Sequence, residues 1–295
     1  MKLGILSAIY DGFSFEEMID NASENGYECV EVACWPQGKA ERRYAGVSHI
    51  DVNDTSEKYI AYLKDYCGKK KIRISSLAYY PNTMDGDPEK RSASIEHLKK
   101  VIRMTTFIGR DQTKNVEDNL EIFKQVWPPI IRFAEEQGVK VAIENCPMLF
   151  GAEQWPGGQN LFTTPDLWRK MFALLPSDNF GINFDPSHFV WQQMDYIRPL
   201  YEFRDKIFHV HFKDIKLLPD RLRDVGIMAY PLEYMVPKLP GLGDVDWGKY
   251  VSALTDIGYD GCACVEIEDK AFEGSRRRVL ESVKLSYRYM RQFVI

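Results

Sequence analysis

The sequence predicts an α/β protein built as one closed (β/α)8 TIM barrel, and three observations carry that prediction. Short β-rich runs alternate with longer amphipathic helical runs along the whole chain. Eight strand candidates share 295 residues, about 37 per unit, the size of a βα repeat with some long loops. No Gly-rich dinucleotide fingerprint follows the first strand, which disfavours an open doubly wound sheet. The strand–helix–strand order with right-handed crossovers calls for a parallel sheet. No linker or low-complexity tract divides residues 1–295, so a single barrel domain is expected.

Lys2–Ser7 reads as the first strand. Ser14 caps the helix that follows, with Glu17 as its capping-box partner, and Asn25-Gly26 stops it. Tyr27–Ala33 is the second strand, Thr55–Lys70 a helix and Ile72–Ala78 the third strand. Pro88–Arg103 is helical, with Pro88 suited to a first turn. Thr105–Ile108 is the fourth strand and the weakest, because it follows its helix almost without a loop. Val116–Gln137 is a long helix, bent or broken at Pro128-Pro129. The strands Val139–Glu144, Asn179–Asp185, Lys206–Phe212 and Cys262–Ile267 complete the set. Between and after them lie helices at Thr164–Leu175, Asp195–Arg204, Trp247–Ile257 and Gly274–Phe293. Long loops at Ala33–Asp54, Cys146–Pro165 and Ile215–Asp246 follow strands, and so belong to the catalytic face of a barrel. Their aromatic residues Trp35, Tyr44, Trp155, Tyr230 and Tyr234 suggest a cover over a substrate.

Composition excludes several classes. A charged fraction of 27% with 13% aromatics is that of a packed globular chain. The net charge of −5 offers no basic surface for nucleic acid. No apolar run reaches the roughly 18 residues of a membrane span, and no secretory signal opens the chain. A cytoplasmic location is expected, with the six cysteines as thiols. Cys262 and Cys264 read as buried strand thiols, since their spacing does not suit zinc. A homo-oligomer is compatible with the sequence.

The later strands end in a repeated signal. Apolar runs are interrupted by Glu144, Asp185, His211 and Glu266 at their C-terminal ends. A parallel strand is buried on both faces, so a charge there requires a partner. In a barrel, four such groups reach one mouth, and a cation is the economical explanation. Three carboxylates and one imidazole suit one hard divalent metal, Mn2+ first, then Co2+ or Mg2+, with zinc less favoured. The bland alternative is four ordinary strand-end polar residues. His188 is a fifth ligand or a contact to a substrate oxygen. His209 lies a layer deeper, in a structural role. Lys213 offsets the carboxylates or binds substrate, with a salt bridge to Asp214 as the bland reading. Arg110 reaches the mouth if the fourth strand is right, and otherwise pairs with Asp111. His49 and His97 read as surface residues.

These motifs carry a resemblance over essentially the whole chain. They are Ile143-Glu144-Asn145, Asp185-Pro186-Ser187-His188, His209-Val210-His211-Phe212-Lys213-Asp214, Pro240-Gly241-Leu242-Gly243 before Asp246-Trp247, and Gly258-Tyr259-Asp260-Gly261 before Val265-Glu266-Ile267-Glu268. The chain resembles the xylose isomerase-like TIM barrels of the sugar phosphate isomerase/epimerase superfamily, among them ketose 3-epimerases and inosose dehydratases. The resemblance implies Glu144, Asp185, His211 and Glu266 as metal ligands, Glu144 and Glu266 as an acid/base pair, and His188 as a substrate contact. It implies a sugar or keto-sugar substrate and isomerisation or epimerisation through an enediolate, with dehydration as the alternative. A sugar-binding barrel without activity is a weaker alternative. The ketose epimerases carry an arginine six residues after the metal histidine, where this chain has Leu217. That departure directs attention to Lys213, Arg110 and Trp35 as substrate contacts. Endonuclease IV shares Asp185-x-x-His188 but needs three zinc ions. Ile72–Tyr80 and Met104–Asp111 contain no histidine, so that activity is not expected.

Overall fold

The computed structural model describes residues 1–36, 46–81, 83, 87–102, 116–147 and 160–294. Among the described residues, seven parallel strands form one sheet. In chain order they begin with β1 (Lys2–Leu6), β2 (Cys29–Ala33), β3 (Arg73–Ala78), β4 (Val141–Glu144), β5 (Phe180–Phe184) and β6 (Ile207–Phe212). A two-stranded antiparallel ribbon, β7 (Asp214–Leu217) and β8 (Met235–Lys238), precedes the last sheet strand, β9 (Cys262–Val265). The sheet order is β3-β2-β1-β9-β6-β5-β4. β1 therefore pairs with both β2 and the last strand, Lys2 standing opposite Cys262, and the sheet curls round on itself. Its two edges, β3 and β4, are the neighbours in sequence of the expected fourth strand. Thr105–Ile108 lies outside the described residues, as does Arg110.

Helices follow most strands. α1 (Phe15–Asn25) and α2 (Glu57–Lys70) flank the first strands, and α3 (Pro88–Ile102) follows β3. The expected capping box is present: Ser14 Oγ accepts from Glu17 N, and Glu17 Oε2 accepts from Ser14 N. Gly26 closes α1 with φ of +89°, a conformation that costs other residues strain. α4 (Val116–Glu136) runs on through Pro128 and Pro129. It buries Phe123, Trp127, Ile130, Ile131 and Ala134 against the sheet side of the core, at helical spacing. α5 (Pro165–Leu174) precedes β5, and the short α6 (Ser187–Trp191) and α7 (Arg198–Glu202) follow it. α8 (Pro219–Val225) lies inside the ribbon, α9 (Trp247–Asp256) precedes β9, and α10 (Arg276–Met290) ends the described chain. Among the described residues, no helix is long and apolar enough to cross a membrane.

The segment expected as a plain loop, Ile215–Asp246, instead holds the β7–β8 ribbon. Asp214 organises its return. Its carboxylate accepts from the backbone N–H groups of Ile215, Gly241, Gly243 and Val245 and from Trp247 Nε1. At Gly243 a Cβ would lie 2.2 Å from Asp214 Oδ1, so only glycine admits this approach.

Candidate active site

Four strands deliver side chains to one point. Glu144 ends β4, Asp185 follows β5, His211 lies near the end of β6, and Glu266 follows β9. One donor atom from each lies within 4.8 Å of the others. His211 is central: Nδ1 is 3.3 Å from Glu144 Oε1 and 2.9 Å from Glu266 Oε2. His188, at the start of α6, brings Nε2 to 3.2 Å from Asp185 Oδ2 and 3.6 Å from Glu144 Oε1. Trp191 Nε1 donates to His188 Nδ1 at 3.4 Å, which turns His188 Nε2 toward the carboxylates.

The supporting contacts are polar and buried. Asn145 and Asp185 exchange reciprocal bonds: Asn145 Nδ2 donates to Asp185 O, and Asp185 N donates to Asn145 Oδ1, both 2.8 Å. This ties the ends of β4 and β5 together. Ser187 N occupies Asp185 Oδ1, so Oδ2 faces the cluster. Asn160 Nδ2 donates to the carbonyl of Glu144 at 2.7 Å.

Lys213 departs from its bland reading. It does not pair with Asp214, whose oxygens are taken by the ribbon. Its Nζ lies 3.0 Å from Glu266 Oε1 and 2.9 Å from Glu268 Oε2. Trp35 is half-buried and packs edge-on against Tyr79 and tilted against Tyr80, whose hydroxyl donates to Glu31. Tyr234 is buried in the core, so it covers no substrate, and Tyr44 and Trp155 lie outside the described residues. His49 is not on the surface. It is buried, with Nδ1 3.0 Å from Ser7 Oγ and Nε2 3.2 Å from the Tyr10 carbonyl. The ring of His97 packs on Tyr79, and its Nε2 lies 3.0 Å from the Cys34 carbonyl, so it too is partly covered.

One residue of the cluster escaped the sequence reading. Glu31, in the middle of β2, is fully buried, with Oε2 2.8 Å from His211 Nε2 and 3.6 Å from His209 Nδ1. Its signal was present, since Val30-Glu31-Val32 is an acid inside an apolar strand.

The charges shift one another's ionisation. Burial disfavours the cationic form of His211, but the charge of Glu31 and hydrogen bonds with Glu144 and Glu266 hold it well above the usual histidine range. Burial raises the carboxyl of Glu144, yet bonds from His188 and His211 hold it well below the carboxylate range. Glu266 moves the other way: burial raises it, Lys213 opposes, and the charge of Glu144 adds to the rise. Two carboxyls at one point are thus driven apart.

The donor set fits a divalent cation. Asp185 Oδ2, Glu266 Oε2 and His188 Nε2 are buried, with His188, His211 and Asp185 of the cluster itself as their close polar neighbours, and such a crowding of donor atoms asks for an explanation. Three carboxylates with one imidazole match hard divalent ions.

Parallel strands curling around a convergent cluster of strand-end side chains are the arrangement of a TIM barrel, whose C-terminal face carries such clusters. Residues 19–290 match the model of the xylose isomerase-like TIM barrel family, and the chain belongs to that family. It is similar to the inosose dehydratase of Lactiplantibacillus plantarum, with 29% identity over 225 residues covering 72% of each chain. Among solved structures, it resembles the D-psicose 3-epimerase of Clostridium cellulolyticum H10 with D-tagatose, at 16% identity and a TM-score of 0.68, covering 100% of this chain and 99% of the other. The 3-keto-D-glucoside 4-epimerase of E. coli gives 15% identity and a TM-score of 0.70 over 99% of each chain. At these identities the two epimerases speak for the fold alone.

Proposed function

We propose that the chain is a divalent-cation-dependent sugar isomerase or epimerase that removes a proton next to a carbonyl. The observation that carries this reading is the cluster of Glu144, Asp185, His211 and Glu266, whose donor atoms lie within 4.8 Å of one another at the strand ends. These four side chains would hold the cation, Mn2+ by preference. When bound, it supplies the positive charge that stabilises an enediolate as it forms.

The remaining work falls to the chain's own residues. Glu144 and Glu266 are the acid/base pair. They come from the ends of different strands, β4 and β9, so one can remove the proton and the other return it. Return to the same carbon on the opposite face inverts it; return to the neighbouring carbon isomerises the sugar. His188 and Lys213 orient substrate oxygens from opposite sides of the cluster.

A second reading is dehydration, in which a β-hydroxyl leaves after the same first proton transfer. Its support is the 29% identity to an inosose dehydratase. The test is solvent deuterium uptake by a panel of keto-sugars and inososes in Mn2+, with the products analysed by NMR. Uptake that needs the cation and disappears in Glu266→Gln is expected. Deuterated epimer or isomer favours the first reading, and an unsaturated or deoxy product the second. No uptake by any panel member would remove both.

A further inference from the structure

Glu31 lies inside β2, at the step where its pairing with β3 shifts register between Val30 and Glu31. Such irregularities re-aim side chains, and they gather near functional sites. The register between β5 and β6 shifts likewise between Ile182 and Asn183. The two shifts frame the imidazoles of β6.

The oxygens of Glu31 have separate partners. Oε2 lies 2.8 Å from His211 Nε2, and Oε1 accepts from the Tyr80 hydroxyl at 3.1 Å. The other nitrogen of His211, Nδ1, faces Glu144 and Glu266. A neutral imidazole has one N–H and one lone pair, and its partners decide which nitrogen holds which. Asn183 Nδ2 lies 3.0 Å from Nε2 and its Oδ1 3.1 Å from His209 Nδ1, but turning the amide over exchanges oxygen and nitrogen in place, so Asn183 is compatible with either tautomer. A carboxylate only accepts, so Glu31 decides.

We propose that Glu31 is the positioning residue of the site: it holds the proton of His211 on Nε2 and fixes the ring, so that Nδ1 presents its lone pair to the cation. The inference rests on the cation reading above. A carboxylate behind a ligating histidine orients the ring and raises its donor strength.

Glu31, His209 and Cys264 also bring donor atoms within 4.8 Å of one another. Both oxygens of Glu31 are engaged, however, and the Cys264 sulfur sits beside Ser75 Oγ at 3.5 Å. This second group is the buried backing of His211, not another cation site.

The test measures Mn2+ binding to the full chain through the electron paramagnetic resonance of the free ion. Wild type, Glu31→Ala, Glu31→Gln and Cys264→Ser are compared. Glu31→Ala is expected to bind about 10–100-fold more weakly. Glu31→Gln, which keeps an acceptor, recovers part of that loss, and Cys264→Ser binds as wild type. NMR of isotopically labelled imidazole nitrogens in the Cd2+-loaded protein supplies a readout that a merely structural role would not move. His211 is expected to carry its proton on Nε2 and the cation on Nδ1, and to lose that preference without Glu31. If Glu31→Ala does not fold, Glu31→Gln and the imidazole spectrum decide. Unchanged affinity and ring state in the Glu31 variants would overturn the proposal. So would a second equivalent of Cd2+ that vanishes in Cys264→Ser. Failure of the wild type to bind any cation would instead strike the reading of the site on which the proposal rests.

Discussion

Lys213 and Glu266 form an ion pair, Nζ to Oε1 at 3.0 Å, with Lys213 only 4% exposed and Glu266 half-buried. The ammonium opposes the burial that raises the Glu266 carboxyl. In Lys213→Met, burial and the charge of Glu144 act on Glu266 without that opposition. Its ionisation is expected to move to higher pH, read from the carboxyl carbon by NMR in cation-free protein. Breaking a buried pair from one side costs about 3–5 kcal/mol, so urea unfolding of the same variant should show a loss of that order.

Cation binding should be visible as stability. A ligand that binds only the folded state at about 100 times its dissociation constant adds roughly 2.7 kcal/mol. Mn2+ is therefore expected to raise the melting temperature of wild type, and chelation to reverse the rise. In Asp185→Ala the same addition should leave the melt in place, because Oδ2 of Asp185 is one of the inward-facing oxygens.

His49 makes stability depend on pH with a definite sign. Burial lowers its pKa in the folded chain, and the unfolded chain titrates near the ordinary value of about 6.5. As pH falls through that value, the unfolded chain takes up a proton that the folded chain refuses. Stability therefore falls with pH, until the folded value is reached. Denaturant unfolding of wild type and His49→Gln is compared between about pH 8 and about pH 5.5, and wild type should lose more stability than the variant on acidification. An equal slope in both proteins would assign the effect elsewhere.

Gly4 on β1 stands opposite Cys29 on one side and Cys264 on the other. A Cβ there would lie 2.6 Å from one sulfur and 2.7 Å from the other. Gly4→Ala is expected to cost about 1–3 kcal/mol, as overpacking does. The double variant Gly4→Ala/Cys264→Ala should recover part of it, a non-additivity that a double-mutant cycle measures.

The sequence made the strands legible because buried parallel strands are apolar runs, and their functional ends break the run. Glu144, Asp185, His211 and Glu266 stand out for that reason, and the structure brings them together. Glu31 carries the same signal but sits in the middle of its strand, so nothing in the run marks it as a strand-end group. The β7–β8 ribbon was invisible because its strands are four residues each and one contains Pro237. It is held by Asp214, whose backbone partners lie at residues 241, 243 and 245. His49 was misjudged because a loop position says nothing of what the loop packs against. Here it lies on Ser7 and Tyr10.

The seam between β1 and β9 governs how the molecule is made. During synthesis Lys2 emerges long before its partner Cys262. Glu31 meets His211 across 180 residues of chain. Pairings so distant in sequence form slowly, and leave strand edges open to neighbouring chains meanwhile. A ribosome-bound fragment lacking β9 would thus carry the acidic and imidazole groups without their enclosure. Competence waits on β9, and chaperone demand should be greatest before that strand is made.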